Sequence, residues 1–89
     1  MTIKDFLLTG KKNAVSMSEL ANICQVPERA LQREILQARL NGELIISDES
    51  GYYLPEDISD IKNYVVSRKA YIKTASKALA PFIKAIRGR

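Results

Sequence analysis

Val26-Pro27 lies between two apolar patterns of helical period, and it limits the chain from Ser16 to Gly42 to two short helices joined by a tight turn. The residue before a proline is driven out of the helical region, and proline lacks the N–H that a helix interior requires. A helix begun at Ser16 therefore cannot run far past Val26. Pro27 suits the first turn of a second helix, with Glu28 at its positive end. Upstream, Ser16 followed by Glu19 reads as a capping box, the serine oxygen taking an orphan helix N–H and the glutamate reaching back to the serine N–H. Leu20, Ala21, Ile23 and Cys24 then supply one apolar stripe. Downstream, Leu31, Ile35 and Ala38 share one side at 100° per residue, and Gly42 after Asn41 is the expected left-handed stop.

Beyond that stop, Leu44-Ile45-Ile46 and Tyr52-Tyr53-Leu54 are rich in β-branched and aromatic residues. Asp48-Glu49-Ser50-Gly51 between them reads as a turn. Before Ser16, Thr2 is placed to cap a helix carrying Ile3, Phe6 and Leu7, with Gly10 ending it. Lys11-Lys12-Asn13 is a polar connector whose lysines are expected to be solvated, while Val15 joins the core. The expected class is mainly α with a small β-hairpin.

The segments SELANICQV, LQREILQARLNGELI and SGYYL carry a family likeness. The chain resembles the winged helix-turn-helix domains of bacterial and phage DNA-binding proteins, over roughly two-thirds of its length. It is also similar to small prophage-type proteins that follow this unit with a long basic helix. The resemblance implies a winged domain over residues 1–56, the second helix as recognition helix and the hairpin as wing. It leaves residues 57–89 as a separate C-terminal helix for oligomerisation and nucleic-acid contact.

Composition excludes several classes. There is no histidine and a single cysteine, so zinc sites of cysteine and histidine and histidine-based triads are ruled out by count. We expect no enzyme, no catalytic residue, no metal and no cofactor. Cys24, on an apolar stripe, reads as a small hydrophobe. No apolar run is long enough for a signal-peptide core or a membrane span, which points to the cytoplasm.

The net charge of +4 hides an asymmetry. Residues 1–61 carry six Lys or Arg against ten Asp or Glu, whereas residues 62–89 carry eight Lys or Arg and no acid. Such segregation commonly turns the basic end toward a polyanion. From Asp57, a capping residue, Ile58, Ile61, Val65, Arg68, Ile72, Ala75, Leu79, Phe82 and Ile86 follow alternating steps of three and four, a heptad seam interrupted by Arg68. Lys62, Lys69, Lys73, Lys77, Lys84 and Arg87 fall in a band about 80° wide beside it. Pro81 should kink or split this helix near Lys77.

These patterns yield candidate sites. On the second helix, Arg29, Gln32, Arg33 and Gln37 lie away from the core stripe and suit base readout, Arg for the acceptors of guanine and Gln for adenine. The competing possibility is a solvated face on which Arg29, Arg33, Glu28 and Glu34 pair among themselves. Lys69, Lys73, Lys77, Lys84 and Arg87 are candidates for the DNA backbone, and Ile72, Leu79, Phe82 and Ile86 for a homodimer or higher homo-oligomer. Leu36 and Leu40 share the polar side of the second helix and should meet the wing, the last helix or a partner protein. Arg39, near the core side, reads as structural. Asp48 and Glu49 at the wing tip repel phosphate, which holds the wing away from DNA or assigns that surface to something else.

Three functions of different class follow. The first is a double-stranded DNA-binding protein, a small phage-like or bacterial transcriptional regulator or replication accessory. The second is a winged-helix protein–protein adaptor using Leu36, Leu40 and the acidic wing. The third, weakest, is attachment of residues 68–89 to an anionic membrane surface.

Overall fold

The computed structural model describes residues 3–88, so Thr2, expected as the first helix cap, lies outside the described residues. The chain begins with a single 3₁₀ turn at Ile3–Phe6 rather than an α-helix. A spacing of three serves either helix, and Ile3 and Leu7 reach the core all the same. A second 3₁₀ turn, Lys11–Asn13, follows Gly10. Helix α1 spans Met17–Cys24, α2 Glu28–Leu40 and α3 Ile58–Arg87. Strands β1, Ile46–Asp48, and β2, Gly51–Tyr53, form an antiparallel hairpin between α2 and α3. The fold is mainly helical with one two-stranded hairpin, an α+β arrangement.

Local chemistry explains each boundary. Ser16 Oγ accepts the Glu19 N–H at 3.2 Å, and its hydroxyl meets Glu19 Oε1 at 3.4 Å, so the carboxylate reaches the serine side chain. Gln25 ends α1 in the left-handed conformation, φ 57°, while the Val26 N–H returns to the Ala21 carbonyl at 3.1 Å. Pro27 caps α2 from just outside its first turn, and its carbonyl accepts the Leu31 N–H. Gly42 at φ 96° closes α2, with the Glu43 N–H bonded to the Ala38 carbonyl at 3.0 Å. Asp57 starts α3 by accepting the Ser59 and Asp60 N–H groups. Pro81 does not end α3, which continues to Arg87 with Pro81 inside it.

The core is the meeting of the first turn, α1 and α2. Leu20 and Leu31 are fully buried, with Ile3, Leu7, Ala21, Ile35, Ala38 and Ile45 around them. Leu31, Ile35 and Ala38 are the stripe expected on α2. Burying a leucine or isoleucine side chain contributes about 1.5 to 3 kcal/mol, so this cluster holds the two helices at their fixed angle.

The hairpin is tighter than its pattern suggested. Asp48 pairs with Gly51, leaving Glu49-Ser50 as the loop, and Leu44 and Leu54 fall outside the paired residues. The outer edge of β2 is also covered. Val15 exchanges two backbone hydrogen bonds with Tyr52, at 2.9 and 2.8 Å, and residues 8–10 bond to Leu54 on the same edge. The N-terminal segment thus acts as a third, broken strand, which removes an exposed edge from the sheet. Gly51 makes this possible. A Cβ there would sit 2.5 Å from the Val15 carbonyl oxygen, and φ is 122°.

Gly51→Ala should therefore cost about 2 to 3 kcal/mol through left-handed strain and the broken Val15 bridge. Urea unfolding followed by far-UV circular dichroism measures it. A loss below about 0.5 kcal/mol, within the range of ordinary surface changes, would mean that the bridge contributes nothing.

Candidate functional site

Helix α2 exposes a divided face. Arg29, Gln32, Arg33 and Gln37 are all exposed. At 100° per residue, Leu36 and Leu40 fall midway between them, on the side opposite Leu31, Ile35 and Ala38. The N-terminal half of the face is polar and cationic, and the C-terminal half is apolar. Leu36 is 58% and Leu40 71% exposed, so neither the hairpin nor α3 covers them, contrary to one expectation for these residues. Among the described residues no ion pair joins Arg29 or Arg33 to Glu28 or Glu34. The Gln32 amide lies 3.7 Å from Met17 Sδ, at the start of α1.

Arg39, on the same helix, faces inward. Its Nε donates to the Ile45 carbonyl at 2.9 Å and its Nη2 to Ser47 Oγ at 3.1 Å, while the guanidinium lies 5.5 Å from the centre of the Tyr64 ring. The residue joins α2 to the hairpin and to α3, the structural part its position suggested. Arg68 extends the stack, with ring centres of Tyr64 and Tyr71 at 5.9 and 5.3 Å. The heptad pattern marks Arg68 only as a polar interruption. Tyrosines four residues before and three after it were the available signal for a cation stacked on rings.

The hairpin tip is not the bare acidic surface expected. Lys11 Nζ donates to Glu49 Oε1 at 2.7 Å and lies 3.8 Å from Asp48 Oδ2. Asp48 also accepts the Ser50 N–H at 2.7 Å and the Tyr53 hydroxyl at 2.8 Å. Lys11 was expected to be solvated, and a pairing across 38 residues leaves no local mark in the sequence. Partial desolvation opposes ionisation of Asp48 most, but the Tyr53 hydroxyl, the Ser50 N–H and the Lys11 ammonium together outweigh it and hold the carboxyl below its usual value. Burial, reinforced by the bond to Asp48, pushes the Tyr53 phenol up to about 12.

On α3, Ile61 and Tyr64 are half-buried where the helix crosses the hairpin, and Ile46 and Tyr53 are covered at that crossing. Every described residue from Val65 onward is exposed. Lys69, Lys73, Lys77, Lys84 and Arg87 share one side of this projecting length, and none is in an ion pair among the described residues. The proposed oligomerisation positions Ile72, Leu79, Phe82 and Ile86 share another side and are 56–75% exposed. The α2 and α3 sets are each brought together on one face of their own helix.

The rest of the surface offers little chemistry. Burial raises the Cys24 thiol, with Glu34 adding to the effect, so it is not tuned as a nucleophile. No cluster of three or more metal-ligating side chains occurs among the described residues, and no helix among them is long and apolar enough to cross a membrane. No protein-family model, curated protein or solved structure matches the chain.

Stability should have two pH limits set by the hairpin. The depressed Asp48 contributes stability above its unfolded pKa of about 3.9, lost as pH falls through its lower folded value. The raised Tyr53 contributes fully below about pH 10 and loses it between about 10 and 12, worth about 2 to 3 kcal/mol for a shift of that size. Tyr53→Phe should abolish the alkaline limb in thermal melts taken from pH 7 to 12. An unchanged limb would show that another group governs it.

Proposed function

We propose that the protein is a winged helix-turn-helix protein that binds double-stranded DNA and self-associates through α3. The observation that carries this reading is the bare cationic band of α3, a run of Lys and Arg unbroken by any acid and paired with none among the described residues. Such a band supplies sequence-independent phosphate contacts. The element order, two short helices joined by a tight turn, then a hairpin, then a helix, supports the winged reading. So does the exposed Arg29, Gln32 and Arg33 on the N-terminal half of α2, the part of a recognition helix that contacts base edges. Lys11 offsets one of the two acids at the hairpin tip, which leaves no cation there to offer phosphate; contact runs through α2 and α3. A role as transcriptional regulator or replication accessory in the cytoplasm fits these features.

Exposure of Leu36, Leu40 and Leu44, at 58, 71 and 57%, favours a second reading, a winged-helix adaptor for another protein. In a DNA complex these side chains would remain wet or meet thymine methyl groups.

Self-association follows from the second bare side of α3. Ile72, Leu79, Phe82 and Ile86 would each gain on the order of 1.5 to 3 kcal/mol on full burial.

Replacing Arg33 or Gln32 by alanine should cost about 1 to 3 kcal/mol on a preferred duplex and little on random duplex. Neutralising Lys73 and Lys77 should weaken both duplexes alike and reduce the salt slope by about one to two. Anisotropy titrations at several salt concentrations separate the two effects. Absence of duplex binding at low salt would reject the DNA reading in favour of the adaptor.

A further inference from the structure

We infer that two copies of the chain pair antiparallel through α3, and that the C-terminal end of each α3 reaches the edge of a groove beside Leu44 on the other copy. The inference rests on the self-association proposed above and adds its direction and its second contact surface.

Direction follows from what already occupies the seam. In the first two turns of α3, Ile61, Tyr64 and Val65 face the hairpin and the Leu44-Ile45 segment. Ile61 and Val65 are themselves seam residues, so the domain lies along the line that a partner helix would follow. A parallel partner would have to drive its first turns, carrying its own hairpin, through that space. In an antiparallel pair the two domains stand at opposite ends, and only bare seam meets bare seam. Antiparallel packing sets alternate seam positions of one helix against the others of its neighbour. The register that uses only uncovered residues places Ile72 against Phe82 of the second copy, Ala75 against its Leu79 and Arg68 against its Ile86.

The end of this overlap meets a surface suited to it. A groove of about 250 Å³ runs between Leu44, Ile45, Ile61 and Val65 and is apolar in most of its lining. Glu43 also lines it, and its Oε1 is buried with no hydrogen-bond partner among the described residues. An acceptor of this kind calls for a donor. In this register the second copy's α3 ends at the edge of the groove, with Ile86 beside Val65 and Arg87 within reach of the carboxylate. By its angle on α3, Val65 lies toward the cationic band, the side from which Arg87 would reach.

The same symmetry serves the nucleic-acid reading. A two-fold axis perpendicular to both helices turns their cationic bands to one side of the pair, whereas a parallel pair would turn them to opposite sides. One continuous cationic face fits a polyanion, and repulsion across it makes pairing tighten with added salt or duplex.

The test uses full-length chains with Cys24→Ala, one carrying Ile72→Cys and the other Phe82→Cys, treated with a short bis-maleimide separately and mixed. The mixture should cross-link at least about tenfold faster than either chain alone, since like residues lie far apart in an antiparallel pair. On the Cys24→Ala background without the added cysteines, Glu43→Gln and Ile86→Ser should each weaken dimerisation about tenfold by sedimentation, with unchanged circular dichroism. Equal cross-linking of each chain with itself would show parallel pairing and overturn the inference. No cross-linking with or without duplex would overturn it too, and protection of Phe82→Cys from maleimide by anionic phosphatidylserine vesicles would then assign the face to a membrane surface. Preferential mixed cross-linking in a protein that fails to bind duplex would uphold the antiparallel pair and reject the DNA reading alone.

Discussion

Arg39 fixes the relation among the three parts of the molecule. Its guanidinium satisfies the carbonyl of Ile45, in the segment leading into β1, and the hydroxyl of Ser47 on β1, while its face lies over Tyr64 of α3. A buried carbonyl left without a donor costs about 1 to 3 kcal/mol, so the segment from α2 to β1 is pinned where the arginine holds it. A lysine at this position would supply a point charge but neither the planar fork nor the stacking surface. The direction in which α3 leaves the domain is thus set from the last turn of α2. With its donors and its face engaged in this junction, Arg39 is withdrawn from the exposed cationic surface.

Most of the α-helical framework is legible in the sequence because its signals are local. Ser16, Pro27, Gly42 and Asp57 each act within a turn of where they stand, and the stripe of Leu31, Ile35 and Ala38 needs only the helical period. The hairpin was legible in existence and not in extent. Leu44 and Leu54 have strand-like side chains, but pairing stops short of them, since Ile45 turns into the core and Leu54 bonds to residues 8–10. Contacts between distant segments left no pattern to read. The Val15 bridge depends on two backbone groups and a missing Cβ at Gly51, and the ion pair of Lys11 with the hairpin tip depends on the turn that follows Gly10. The short first turn was misread because i, i+3 spacing does not separate a 3₁₀ turn from an α-helix.

The candidate site divides in the same way. That Arg29, Gln32, Arg33 and Gln37 are exposed follows from helical geometry, and so does the gathering of the lysines on α3. The fate of Leu36 and Leu40 could not follow from it, because it depends on where neighbouring elements pass. The hairpin and α3 run to the side of Arg39, and the leucines stay bare. Arg68 shows the opposite failure. A residue that breaks an apolar seam turns out to lie between two tyrosines, so the interruption carries its own packing.

The length of α3 has a kinetic consequence. Beyond Arg68, the last α3 residue beside the hairpin, every described residue of the helix is exposed, and Pro81 removes the N–H that the Lys77 carbonyl would otherwise receive. Pro81 divides this stretch into pieces no longer than the roughly 12 to 15 residues below which an isolated helix is marginal in water. In a solitary chain this end would open and close on a microsecond scale or faster, independently of the domain that carries it. Each opening exposes a lysine- and arginine-rich backbone to any protease that cuts after basic residues. If α3 pairs as proposed, the lifetime of the intact chain in such surroundings would rise with its own concentration, and copies left without a companion would be the first to be trimmed.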